Sequence, residues 1–247
     1  MKSRALDVSY SRKMDLTTQF GFILAVNYVR HLIRGGVAWF AMPCNSWVFM
    51  SRGSTKRCLL RVKGATHLKS TALGNRLARR LCYLLELCHK LGIFWVIEQP
   101  TTSLLFFYRP LRRLMKRHGA KRVGCSLGAL NANTTKPVFL WGTVPFLGAF
   151  NIRPTALRRH QLQKIRNFLK LNTTHIYQDK RGRTRCAGGT DLKATQSYPG
   201  LMGLKVAEEV KRHVEQLPAQ RRPTNVQGIS FEDYGDDSSD SGLESIL

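Results

Sequence analysis

Carboxylates are what this sequence has least of. Between Met1 and Gln178 only Asp7, Asp15, Glu86 and Glu98 carry one, and the whole 247-residue chain sets 15 Asp+Glu against 40 Lys+Arg, a formal charge of +25. Six of the acids (Glu232, Asp233, Asp236, Asp237, Asp240 and Glu244) fall in the last 17 residues, leaving 40 basic against 9 acidic residues over 1–230. Such a body points away from cationic ligands and towards polyanions, nucleic acid ahead of anionic membrane. Long apolar runs are also missing, which excludes a spanning helix of roughly 18 residues. Residues 1–20 hold no apolar stretch of the secretory kind. No C-x-x-C pair and no closely spaced histidine pair occurs, so a structural zinc site is not expected. Cys44, Cys58, Cys82, Cys88, Cys125 and Cys186 show no short disulfide framework and read as reduced thiols. The expected setting is intracellular, nucleus or cytoplasm.

What is present is a 43% hydrophobic, globular composition with alternating strand and helix periods. Ala5–Tyr10 reads as a short strand and Leu16–Ile33 as a helix stopping at Gly35-Gly36. Val37–Met42 (VAWFAM) reads as a buried strand, and Ser51–Ser70 as a basic loop. Leu73, Leu77, Leu81, Leu84, Cys88 and Leu91 form an apolar stripe at helical steps, ended by Gly92. Ile93–Ile97 is a second buried strand, closed by Glu98-Gln99-Pro100. A basic helix over about 103–118 follows, then strands at 122–127 and 138–141 that should pair as a hairpin. A helix near 154–171, a hairpin-like stretch at 175–185 and a helix at 201–216 complete the reading. Apolar strands separated by a long helix predict a βαβ unit and a mainly parallel sheet. One α/β domain over 1–217 is therefore expected, with a disordered acidic tail at 218–247.

In open α/β sheets, ligands lie beyond the carboxyl ends of the strands. Two such ends carry reactive groups: Met42-Pro43-Cys44-Asn45-Ser46-Trp47 and Glu98-Gln99-Pro100. Glu98 follows five apolar residues, where a carboxylate is expensive to bury unless it is paired or used. A Cys and a Glu on neighbouring strand ends suit one chemistry: thiolate addition to C6 of a pyrimidine while a carboxylic acid hydrogen-bonds N3. Cys44 would need a depressed pKa, with Arg52 as a basic helper, and a duplex base would first be flipped out. The plain alternatives are Cys44 as a small buried hydrophobe and Glu98 as a helix cap or ion-pair partner. Trp47 and Trp95 read as core or pocket wall, Cys82 and Cys88 as helix packing, and Glu86 as an i,i+4 partner of Lys90.

These motifs resemble a family. Pro-Cys after one strand and Glu-Gln-Pro after a later one look like the Pro-Cys and Glu-Asn-Val motifs of cytosine-C5 methyltransferases. The closer resemblance is to uncharacterised methyltransferase-like proteins of protists, carried by MPCNSWVFMSRGS at 42–54, WVIEQPTTSLL at 95–105, NANTTKPVFLWGT at 131–143 and DLKATQSYPGLMG at 191–203. The resemblance implies a Rossmann-type, S-adenosylmethionine-dependent fold, mostly parallel with a terminal antiparallel strand. It makes Cys44 the nucleophile and Glu98 the residue holding the base. It places Asp7 and Asp15 at the ribose and adenine of the cofactor, and Lys136, Pro137 and Trp141 on the target side. The family's F-x-G-x-G loop is absent, so the first strand is expected to be missing and the chain N-terminally incomplete; Met42 and Asn131-Ala132-Asn133 depart from the family's Pro and Gly-Ala-Pro.

Residues 99–178 contain 14 Lys+Arg and no acid, which a mixed-sign solvated face does not do. Arg52, Arg109, Arg112, Arg113, Lys116, Arg117 and Lys136 are the expected nucleic-acid contacts, to DNA ahead of RNA. Two functions fit: a cytosine-C5-type methyltransferase, or a catalytically degenerate methyltransferase fold that binds DNA or RNA.

Overall fold

The computed structural model describes residues 5–171, 173–192 and 198–217; the expected acidic tail lies outside the described residues. Helix α1 (Gln19–Arg30) starts where the Thr18 hydroxyl accepts the Gly21 N–H at 3.1 Å. Gly21 has no alternative, because a Cβ there would lie 2.1 Å from the Asp15 carbonyl oxygen. After β1 (Val37–Phe40) come the short α2 (Arg52–Thr55) and the 22-residue α3 (Lys69–Lys90). Strand β2 (Phe94–Pro100) follows, then α4 (Arg109–Arg117), β3 (Lys121–Ser126) and β4 (Pro137–Gly142). Helix α5 (Ala156–Phe168), the hairpin β5 (Thr174–Gln178) and β6 (Thr184–Gly188), and α6 (Gly200–Glu215) end the described chain.

The four-stranded sheet has the order β1-β2-β4-β3. Strand β1 runs parallel to β2, with Val37 opposite Phe94 and Phe40 opposite Ile97, and α3 is the crossover between them. Strand β4 is antiparallel to both β2 and β3. It comes last of the four in sequence yet sits between them rather than at an edge: the chain turns back after β3 and lays β4 between β3 and β2. The chain is thus a mixed α/β protein with an open mixed sheet.

Both sheet faces are covered. Trp95 and Ile97 pack with α1, α3 and α4 through Phe22, Leu81, Leu84, Leu85 and Leu111. The alternate residue Val96 packs with Val138, Leu140, Phe150 and Met202 on the other face. Period-two alternation along β2 therefore turns Glu98 towards the second face and Gln99 towards the first. Leu81, Leu85 and Cys88 are fully buried, each leucine contributing about 1.5–3 kcal/mol.

Three expectations change. Ala5–Tyr10 is not a strand but a turn: Asp7 Oδ1 accepts the Ser9 N–H at 2.8 Å and the Tyr10 N–H closes on the Asp7 carbonyl. The 51–70 loop holds α2 and the start of α3. Strand β2 continues through Glu98 to Pro100, because β4 pairs with it as far as Pro100–Val138.

The chain after Cys44 is pinned to α3 by a buried guanidinium. Arg57 is 2% exposed, its centre 3.5 Å from the Trp47 ring centroid. It donates to the Val62 carbonyl (2.6 Å), Asn75 Oδ1 (2.9 Å), the Thr71 carbonyl (3.2 Å) and Ser46 Oγ (3.4 Å). Burial pushes its pKa down to about 10, so it stays charged at neutral pH. Arg57→Met leaves those acceptors unpaired and should cost about 2–4 kcal/mol in urea unfolding; a change below about 0.5 kcal/mol rules out the anchoring role.

Candidate functional site

Parallel pairing puts the ends of β1 and β2 on one edge of the sheet. Beyond β1, Met42-Pro43-Cys44 is drawn to β2 by Gln99, whose Nε2 donates to the Met42 carbonyl at 2.6 Å while its Oε1 accepts from Ser103 Oγ at 2.9 Å. The Cys44 carbonyl then accepts the Trp47 and Val48 N–H groups at 2.8 and 3.1 Å, turning the chain so that Trp47 enters the core. Gly74 of α3 makes room for this turn: a Cβ there would lie 2.2 Å from Ser46 Oγ.

Glu98 is 5% exposed and lies opposite Leu140. Its Oε2 accepts a short hydrogen bond from the Tyr198 hydroxyl, and its buried Oε1 has no partner among the described residues. Lys136 Nζ stands 5.3 Å from the Tyr198 ring centroid. Burial raises the Glu98 carboxyl above its ordinary value of 4.5, while the Tyr198 hydrogen bond and the Lys136 charge pull it down. The Cys44 thiol is raised by burial and then by the Glu98 charge, with Lys136 opposing. Cys125, on β3, is raised to about 11 by burial and Glu98. Tyr198 is pushed far up, by burial first and Glu98 second, and so remains a donor.

The structure therefore brings Cys44, Glu98 and Lys136 together and adds Tyr198 and Cys125. Tyr198 lies within a block noted in the sequence, but it is 100 residues from Glu98 and no local pattern couples them. The expected depression of the Cys44 thiol is reversed. Arg52 is not its helper: that guanidinium stands 5.1 Å from the Phe49 ring centroid, and the nearby cation is Lys136.

The other expected residues lie apart. Asp7 is exposed and spends Oδ1 on its own turn, and the Ser9 hydrogen bonds hold its carboxyl below the usual range. Asp15 Oδ1 accepts the Thr17 N–H and hydroxyl, both at 2.8 Å. Neither stands at a strand end. On α4, Arg109, Arg112, Arg113, Lys116 and Arg117 are exposed, while Leu111, Leu114 and Met115 pack into the first face. Arg117 and His118 both reach Glu86 Oε2, the latter at 3.1 Å, so Glu86 ties α3 to the end of α4. Trp47 and Trp95 are core, as are Cys82 and Cys88.

Among the described residues, no helix is long and apolar enough to cross a membrane, and no group of three or more His, Cys, Asp or Glu could hold a metal ion. The chain matches no protein-family model and no curated protein.

A carboxyl whose folded pKa is raised stabilises the fold below its unfolded value and loses that contribution as pH rises through the folded value. Stability should therefore fall as pH climbs from about 4.5, and Glu98→Gln should remove that slope from the urea midpoints. Tyr198→Phe, lacking the hydroxyl that favours the carboxylate, should raise the Glu98 midpoint further by NMR titration; a downward move contradicts the arrangement.

Proposed function

We propose that this chain binds nucleic acid and seats one unstacked pyrimidine base against Glu98, beside Cys44. It is the base-holding part of a methyltransferase-like α/β fold, and no methyl-transfer step is derived for it. The observation that carries this reading is the buried Oε1 of Glu98, without a partner among the described residues, at the carboxyl edge of the sheet. A carboxyl raised by burial is protonated to higher pH than usual, and its O–H can be donated to N3 of cytosine while Oε2 keeps the Tyr198 hydroxyl. Basicity supports the partner class: α4 presents five exposed cations, of which Arg117 is paired with Glu86. Taking a base out of a duplex costs a few kcal/mol, so single strands and unpaired bases are the preferred targets. Support for a Rossmann-type methyltransferase origin comes from the reversed strand that ends the sheet's sequence and from the four-block resemblance.

A second reading, covalent cytosine-C5 chemistry at Cys44, has Lys136 in its favour, since that cation opposes the upward shift of the thiol. Burial and the Glu98 charge outweigh it, leaving Cys44 a thiol rather than a nucleophilic thiolate at neutral pH.

The test is binding of an oligonucleotide with one unpaired cytosine against the same strand abasic at that position. Wild type should prefer the cytosine by about tenfold, and the preference should fade as pH rises through the Glu98 midpoint. Glu98→Gln, whose amide can donate to N3, should keep the preference and lose its pH dependence. Glu98→Ala should abolish it; an unchanged preference in Glu98→Ala rejects the proposal.

A further inference from the structure

On the β3 side of Glu98 the same edge of the sheet opens into a cleft of about 480 Å³. Its floor is Gly124 of β3, where an added Cβ would meet nothing within 4 Å. Thr101, just beyond β2, Ser126, at the end of β3, and Thr135 give it polar walls, and among the described residues no carboxylate lines it. Cys125, whose thiol feels the Glu98 charge, belongs to the lining, so the cleft and the Glu98 site adjoin. Arg153 and Arg159 also line it, both exposed, and neither guanidinium has a hydrogen-bond or ion-pair partner among the described residues. Their neighbour Arg158 differs: it donates to the Gly128 carbonyl at 3.0 Å and the Ala132 carbonyl at 3.3 Å, fixing the first turn of α5 against the loop before β4. One arginine is thus structural and holds the other two at the cleft.

Two guanidiniums that no described acid or acceptor occupies form a site for a phosphate or carboxylate. The volume exceeds what a bare oxyanion needs and falls within the range of small-molecule pockets. Adjacency to the Glu98 carboxyl selects between the two anions, because a nucleotide seated by its base at Glu98 has its sugar and phosphate within reach of the neighbouring hollow. We infer that the cleft receives the sugar-phosphate of a nucleotide, with Arg153 and Arg159 on the phosphate; this rests on the reading of Glu98 as the base holder.

Fluorescence anisotropy of a labelled single-stranded oligonucleotide on the full chain, across a salt series, tests it. Arg153→Ala/Arg159→Ala should weaken binding about tenfold and reduce the salt slope by about 0.7, the share of one phosphate. Gly124→Val, which fills the floor without a backbone conformation that valine resists, should weaken binding with the salt slope unchanged. Competition separates the phosphate sources. Cytidine 5′-monophosphate displacing the probe while cytidine does not shows that a free nucleotide suffices. Displacement by neither, with both variants weakened, assigns the cleft to polymer phosphate. Wild-type affinity in both variants overturns the inference and leaves the Glu98 proposal standing. Absence of any wild-type binding removes both.

Discussion

Parallel pairing of β1 with β2 is the constraint on which the rest depends. Because Phe40 lies opposite Ile97, the next residues of each strand leave the sheet at one edge, and Cys44 and Glu98 become neighbours although 54 positions apart in the chain. The pairing requires a crossover long enough to return the chain to the starting edge, and α3 supplies it with a face of Leu77, Leu81, Leu84 and Cys88 against the sheet. Gln99 and Arg57 convert that proximity into a fixed arrangement, one tying the Met42 carbonyl to β2 and the other tying Ser46 and Trp47 to α3.

Electrostatics then divides the labour. The general excess of positive charge is carried at the surface, above all on α4, where it acts at long range and falls with salt. Among the described residues the site sets the Lys136 cation against the buried Glu98 carboxyl, and burial dominates the protonation of Glu98, Cys44 and Tyr198 alike. All three are pushed towards their neutral forms. A neutral acid, thiol and phenol suit hydrogen bonding to an uncharged base better than nucleophilic attack on it. Lys136 is held with φ of +25°, a backbone conformation side chains rarely adopt, at the point where the chain enters β4.

Much of this was legible in the sequence where burial and period coincide. VAWFAM and IFWVI announce strands because both sheet faces are covered, and the Leu73–Leu91 stripe announces α3 because its apolar steps are long and unbroken. The scarcity of acids singled out Glu98. The sequence ended the second strand at Ile97, however, because polar Glu98 and Gln99 break the apolar run; only pairing with β4, 40 residues on, carries β2 to Pro100. Asp7 misled in the opposite way, since a short apolar-polar alternation around it is also compatible with a side-chain-capped turn. Tyr198 and Cys125 were illegible as site residues, because what places them near Glu98 is tertiary packing with no local trace.

The central claim is that a base sits against Glu98 beside Cys44. Photocrosslinking of an oligonucleotide carrying one unpaired 5-iodocytosine, mapped by mass spectrometry, addresses it directly. Adducts on Cys44, Tyr198 or their immediate neighbours, lost in Glu98→Ala, are the predicted result. Adducts confined to the exposed arginine helix α4, and indifferent to Glu98, would contradict it.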